Sequence, residues 1–402
     1  MKSPRKVGNG GMSKFEFPIG YHKFHKDQIF NYQMNRWYSS GYARFEDMEY
    51  AGRRIRSFRD WKAEMSGLAD KALSESRLLN AAFYYRAAEF YTFSDDPDKE
   101  LLYDRFIKLF YSIFADDRIE RVNIPYHGTF LPTMRISPPA DRKGTIVMHG
   151  GFDSYIEDFY SSIAFFSNHG YEVIGFEGPG QGAALKKYGL ALNHEWEKPT
   201  AAVLDYFGLD DVTLLGISMG GWLCFRAAAF EPRIKRVIAL AVAFDYGKIL
   251  NIAAQLMMRL FFTHFRGFTN KMALKKMKKD QMHAWSLGNL MYIADKRTPV
   301  EAADVALEMN EKNLHSDMVM QDVLILTGRD DHFIPFKMHS MQVRALTHAK
   351  SITARVFTKK EHAQNHCQIG NIGLALDVMI KWIETTSRTH CPKASAVCSV
   401  QG

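Results

Sequence analysis

From about residue 145 onward the chain alternates short, continuous apolar runs with helical stretches. The runs fall at 145–148, 171–176, 212–215, 236–242, 323–326 and 352–357. A strand that is apolar at every position has to be covered on both faces. Helices placed between such strands are the crossovers of a parallel sheet. Just upstream, residues 121–136 alternate apolar and polar side chains around Gly128, as a hairpin does. Two hairpin strands and six runs predict an α/β fold: a mostly parallel, eight-stranded sheet with helices on both faces. Sheets of this kind place their active sites at the carboxyl ends of the strands, so the loops there carry the chemistry.

The rest of the chain divides around that sheet. Residues 25–115 are aromatic-rich with apolar residues at three and four spacing, Leu79, Ala82, Phe83 and Phe90 among them. Ser94-Asp95-Asp96-Pro97 breaks the pattern and suits a cap for a helix over 99–114. The segment 15–118 therefore reads as a helical N-terminal domain. The sheet domain takes 119–245 and 320–388. Between them, 246–319 contains no strand pattern and is rich in Met and Phe. That is too long for a simple loop and predicts a helical cap inserted over the strand ends. Residues 1–14 read as a disordered basic tail and 389–402 as a flexible one.

Composition narrows the function classes. The formal charge is +8 over 402 residues, and Lys and Arg are spread along the chain, which disfavours a nucleic-acid partner. The exception is five lysines in residues 271–279. A solvated helix face explains them most simply, and a dock for an acidic carrier protein is the other reading. Nowhere do about 18 consecutive apolar residues occur, so no membrane span is expected. No signal-peptide pattern follows Met1. Cys224, Cys367, Cys391 and Cys398 are too few and too uneven for a disulfide framework or a zinc site, which suits a cytoplasmic protein. No P-loop is present, and residues 177–182 lack the spacing of a dinucleotide loop. No cofactor and no metal are expected. The segment 177–182 reads instead as a tight turn shaping the floor of the site.

Gly216-Ile217-Ser218-Met219-Gly220 follows one apolar run directly and precedes a helical stretch directly. A serine on such a strand-to-helix turn is aimed out of the sheet, and small residues two before and two after let chains pass closely. Ser218 is the candidate nucleophile. Its base and the base's orienter should follow in the order acid, then histidine. After the run 323–326, Asp331 fits better than its neighbour Asp330, because it lies three after Gly328 and four before Pro335. After the run 352–357, His366, placed at the start of a last helix over 369–384, fits better than His362. His362 and His366 are four apart and could share a metal on a helix face, but no third ligand accompanies them. An oxyanion hole needs backbone N–H donors. Met219 supplies one, and Gly151 or Phe152, in His149-Gly150-Gly151-Phe152-Asp153, supplies the other. Asp153 and Glu157 beyond that loop, with Phe261 and Phe265 of the cap, are candidate substrate contacts.

A narrower likeness covers nearly the whole chain. It rests on residues 80–90 (Asn80 to Phe90), the His149-Gly150-Gly151 loop with Glu157 behind it, Phe176-Glu177-Gly178-Pro179-Gly180-Gln181-Gly182, and His366-Cys367-Gln368. With these the chain resembles the α/β-hydrolase group that includes 2,6-dihydropseudooxynicotine hydrolase and the fungal yellowish-green pigment polyketide-shortening hydrolases. The resemblance implies an α/β-hydrolase fold and carbon–carbon bond hydrolysis next to a ketone of a small polyketide-like or aromatic substrate. It also implies N-terminal helices that join the cap in closing the site, and a homodimer. Ser218, Asp331 and His366 fall on the group's triad positions. Asp245 lies near the place of a further acidic residue of the group, and that role is not carried over. Esterase or thioesterase action with the same three residues is the alternative. A non-catalytic ligand- or partner-binding protein is a third reading, which the intact set of three disfavours.

Overall fold

The computed structural model describes residues 14–388. Apart from Lys14, the two expected tails, with Cys391 and Cys398, lie outside the described residues. Five helices come first: α1 (Gln28–Ser39), α2 (Phe45–Arg54), α3 (Phe58–Ser74), α4 (Leu78–Phe90) and α5 (Asp98–Ile113). Helix α4 is buried all round from residue 81 to residue 90, which marks it as the core of this layer. Tyr42 stacks flat on its Phe83 at 3.5 Å between ring centroids. At the start of α5 the helix enters through Pro97, and the Asp96 carboxylate accepts the Asp98 N–H at 3.0 Å.

The sheet contains β1 (Ile119–Tyr126), β2 (Thr129–Ile136), β3 (Gly144–His149), β4 (Tyr171–Phe176), β5 (Val212–Ile217), β6 (Ile234–Leu240), β7 (Asp322–Gly328) and β8 (Ser351–Phe357). Its spatial order is β1-β2-β4-β3-β5-β6-β7-β8. The β1–β2 and β2–β4 pairs are antiparallel and every other pair is parallel. Two expectations shift. Strand β6 starts and ends two residues earlier than its apolar run, because Ala241 turns to φ +68 and donates its N–H to Leu326 O. Strand β8 is an edge, and most of it is exposed rather than covered on both faces.

Helices α6 (Tyr160–Asn168), α7 (Gly182–Lys186), α8 (Glu197–Phe207) and α9 (Gly220–Phe230) follow β3, β4 and β5. Between β6 and β7 stand α10 (Ile252–His264), α11 (Arg266–Met277), α12 (Gln281–Ile293), α13 (Pro299–Leu307) and α14 (Glu311–Leu314). Helix α15 (Lys337–Ala345) joins β7 to β8, and α16 (Ile372–Arg388) ends the described chain. Helix α16 starts three residues later than its apolar pattern suggests. Cys367 and Gln368 have positive φ, so His366–Gln368 forms a separate 3-10 turn before it. No helix among the described residues is long and apolar enough to cross a membrane.

The N-terminal helices touch both the sheet loops and the cap. Trp285 of α12 packs within 6 Å of Phe58, Phe90 and Tyr91, and Gln281 accepts the Phe58 N–H at 3.1 Å. Deeper in, Arg86 of α4 reaches across to the loop after β3. Its Nε and Nη2 each lie 2.9 Å from Asp158, Nη1 is 2.5 Å from Glu89, and Nη2 donates to Asp153 O at 2.8 Å. Burial opposes charge on Glu89, but Lys99, Arg86 and Lys186 outweigh it and hold its carboxyl down to about 2. Removing one member of such a buried set leaves the others charged and unpaired. Arg86→Met should therefore lower stability by about 3–5 kcal/mol, read from the urea-unfolding midpoint. A change under about 1 kcal/mol would mean the cluster does not bind the layers together.

Candidate active site

The turn after β5 has the constrained backbone its glycines suggest. Ser218 sits at φ +61, a region side chains rarely adopt, and its N–H donates to Leu240 O at 2.8 Å. A Cβ on Gly216 would lie 1.9 Å from Gly220 O, and one on Gly220 would lie 2.5 Å from Gly150 O. Only glycine lets these three segments cross. Behind the serine, α9 begins at Gly220, so its N-terminal N–H groups and dipole face the same point.

Ser218 Oγ lies 2.8 Å from His366 Nε2, and His366 Nδ1 lies 2.7 Å from Asp331 Oδ2. The other Asp331 oxygen accepts the N–H groups of Phe333 and Ile334 at 2.8 and 2.9 Å. Burial pushes Asp331 up, but His366 and these donors outweigh it and hold it below the usual carboxylate range. Burial likewise opposes a charged His366, while Cys367 and Asp331 outweigh it and raise its pKa well above that of a free imidazole. The ring is walled by Phe333 at 5.0 Å and Tyr32 of α1 at 6.0 Å. Of the competing residues, Asp330 points toward Lys359 at the surface. His362 occupies a left-handed turn position, exposed, and is on no helix face with His366.

Opposite the serine runs the loop after β3. A Cβ on Gly151 would meet Met219 N at 2.6 Å, so the two backbones are in contact. Among the described residues the N–H groups of Met219, Gly151 and Phe152 have no acceptor. All three residues line the cavity beside Ser218. The loop is held from below: Gln181 Nε2 donates to Gly150 O at 2.7 Å and Gly151 O at 3.3 Å. The segment 177–182 thus supports the loop after β3 and does not form the floor of the cavity. His149, buried against Trp196 and Phe176, is pushed down to about 4 by burial and stays neutral.

These groups open into a cavity of about 550 Å³, walled mainly by apolar side chains. The N-terminal helices contribute Tyr32, Gln33 and Arg36, and the cap contributes Tyr246, Met282, Trp285 and Leu290. Of the expected substrate contacts, Asp153 lines it, pushed up to about 6 by burial and hydrogen-bonded by Asn289 of α12. The other three do not. Glu157 is buried behind the loop, accepting the Tyr111 hydroxyl at 2.7 Å. Phe261 and Phe265 cluster with Phe268 on the outside of the cap, where Phe265 is 50% exposed. The Met- and Phe-rich segment 246–319 folds into helices, and the one that lines the cavity beside the serine is α12, not α10. The five lysines of 271–279 are exposed, on α11 and just after it. Asp245 lies outside the cavity and caps the turn after β6, accepting the Lys248 and Glu311 N–H groups. Tyr32, Gln33 and Arg36 went unnoticed in the sequence. Their signal was the helical spacing of Tyr32, Arg36 and Ser40, obscured because α1 also buries Asn31, Asn35 and Ser39.

The model of the alpha/beta hydrolase fold family matches residues 144–352. Hydrolase LUC6 of a Fusarium species is 29% identical over 284 residues, 63% of this chain and 66% of that protein. The chain thus spans about two thirds of that relative's length. The 20-hydroxy-prefusarin hydrolase FUS2 of Gibberella moniliformis is 24% identical over 82% of this chain and 87% of its own. The crystal structure of 2,6-dihydroxy-pseudo-oxynicotine hydrolase superposes with a TM-score of 0.63 at 21% identity, covering 87% of this chain and 94% of its own. That last likeness is one of fold.

Gly151→Ala tests the backbone nest directly. The added Cβ displaces the loop from Met219 N, and Ser218 should lose about 100-fold in its rate of reaction with a fluorophosphonate, the usual cost of one oxyanion donor. An unchanged rate would place the anion site elsewhere.

Proposed function

The chain belongs to the α/β-hydrolase fold family, and from that footing we propose that it is a serine hydrolase. Its substrate would be a polyketide-like or aromatic ketone, cleaved at the carbon–carbon bond beside the carbonyl. The observation that carries this is the hydrogen-bonded series Ser218, His366, Asp331, at 2.8 and 2.7 Å, at the end of a mainly apolar cavity. In this reading Ser218 Oγ attacks the carbonyl carbon as His366 Nε2 takes its proton. The oxygen that becomes negative is met by the Met219 N–H and an N–H from Gly151 or Phe152. His366 returns the proton to the departing enolate carbon, and water, activated by the same imidazole, releases the acid from the acyl-enzyme. Asp331 holds the ring and stabilises its cationic form.

The choice of a carbon leaving group is supported by the resemblance to polyketide-shortening hydrolases and by the mainly apolar cavity of about 550 Å³. An ester or thioester would use the same groups. Its one distinct support is the exposed lysine set on the cap, which suits a carrier-bound acyl chain. Turnover of 1-phenylbutane-1,3-dione to acid and ketone, measured beside an acyl thioester of equal length, separates the two. Faster release from the thioester would remove the carbon–carbon reading.

Two further outcomes are expected. Ser218→Ala should reduce turnover by about 10⁴- to 10⁶-fold with the thermal midpoint retained. The pH profile carries a sign. His366 must be neutral to accept the serine proton, and its pKa lies above 6.5. The kcat/KM value should therefore rise with pH to a half-point above 6.5. Asp331→Asn removes an anion that holds the proton on, so the half-point should move to lower pH while the plateau falls by about 10⁴-fold. A half-point that stays put in Asp331→Asn would show that another group sets it.

A further inference from the structure

Helix α1 presents Tyr32, Gln33 and Arg36 to the cavity, and its C-cap Ser40 follows them. Tyr32 is at the catalytic end, its ring 6.0 Å from the His366 ring and its hydroxyl 3.5 Å from His366 O. Arg36 is one helical turn further on, about 5.4 Å along the axis. It is the cavity's cationic wall residue. Its guanidinium is fixed between the Trp37 ring at 4.7 Å and the Phe90 ring at 5.7 Å, so the fork is pre-organised. Its polar engagement is incomplete. Nη2 is 2.9 Å from Asp158 Oδ2 and Nη1 is 3.4 Å from Gln33 Oε1, which uses two of the five N–H groups a guanidinium carries. Asp158 is itself shared, since Arg86 binds both of its oxygens. The remaining Arg36 N–H groups have no acceptor among the described residues.

The Arg36 side chain is 15% exposed, so its free N–H groups open into the cavity and are available to a ligand. We propose that Arg36, with the Gln33 amide beside it, binds a carboxylate of the substrate, so that Ser218 acts on compounds whose reacting carbonyl is separated by an apolar spacer from a terminal acid. A carboxylate is the planar, two-oxygen partner that a guanidinium fork matches. Two carboxylates also line the cavity: Asp158, whose oxygens are taken by Arg86 and Arg36, and Asp153, which is engaged by Asn289 and lies beside Arg86, Lys99 and Glu89. The inference rests on the serine-hydrolase reading and adds to it a substrate class.

The test uses mono-4-nitrophenyl esters of glutaric, adipic and suberic acid beside the same esters with the far carboxyl capped as a methyl ester. The full-length protein should prefer the acid by about ten-fold or more in kcat/KM at one chain length, through KM. Arg36→Gln should erase that preference and Arg36→Lys should keep part of it. Because Arg36 also pairs with Asp158, a second arm needs no variant. Free suberate should protect Ser218 from a fluorophosphonate at about ten-fold lower concentration than dimethyl suberate. Equal protection, or an acid preference that survives in Arg36→Gln, overturns the carboxylate site alone. Failure of both ester series together with an unlabelled Ser218 overturns the hydrolase reading, and the inference with it.

Discussion

Two backbone turns cross at the centre of this molecule with no room for side chains between them. The turn after β5 carries Ser218, and the loop after β3 carries Gly150 and Gly151. A Cβ on Gly216, Gly220 or Gly151 would each come within 2.6 Å of a backbone atom of this crossing. Close contact of this kind fixes the serine at a positive φ and sets the Met219 N–H beside the Gly151 loop. It also fixes where the histidine has to arrive. Everything further out is arranged to hold that crossing. Gln181 ties down the loop from one side; from the other, Leu240 O accepts the Ser218 N–H and Ala241 O packs against Gly221.

How much of this was legible depends on whether the signal was local. The strands were readable because a parallel sheet demands apolar residues at every position. The serine turn was readable because its glycines are forced by contacts within a few residues. Asp331 and His366 could be ranked over Asp330 and His362 by spacing from Gly328, Pro335 and the last strand. The start of α16 was misread because the break comes from positive φ at Cys367 and Gln368, two residue types that do not announce it. Substrate contacts were hardest. Whether a phenylalanine of the cap faces in or out depends on how α10 and α12 pack on α1 and α4, and Phe261, Phe265 and Trp285 look alike in sequence. The role of α1 was hidden for the same reason: Arg36 meets Asp158 across 122 positions of chain.

The N-terminal helices are therefore part of the site and not an appendage. Tyr32 walls the imidazole, Trp285 of the cap rests on Phe58, Phe90 and Tyr91, and Arg86 anchors α4 to the loop after β3. Burying Arg86, Glu89, Asp158 and Lys99 together is expensive. It is tolerated because each charge meets an opposite one within hydrogen-bond reach. The outcome is a mainly apolar cavity lined from two sides, by the N-terminal helices and by the cap, which pack on each other through Trp285.

The central claim is that Ser218 is an activated nucleophile in this cavity. Treating the purified protein with a fluorophosphonate and mapping the adduct by mass spectrometry tests it most directly. The account predicts a single adduct on Ser218, lost in Ser218→Ala and slowed in Asp331→Asn. A folded protein that takes up no label at Ser218 would contradict it.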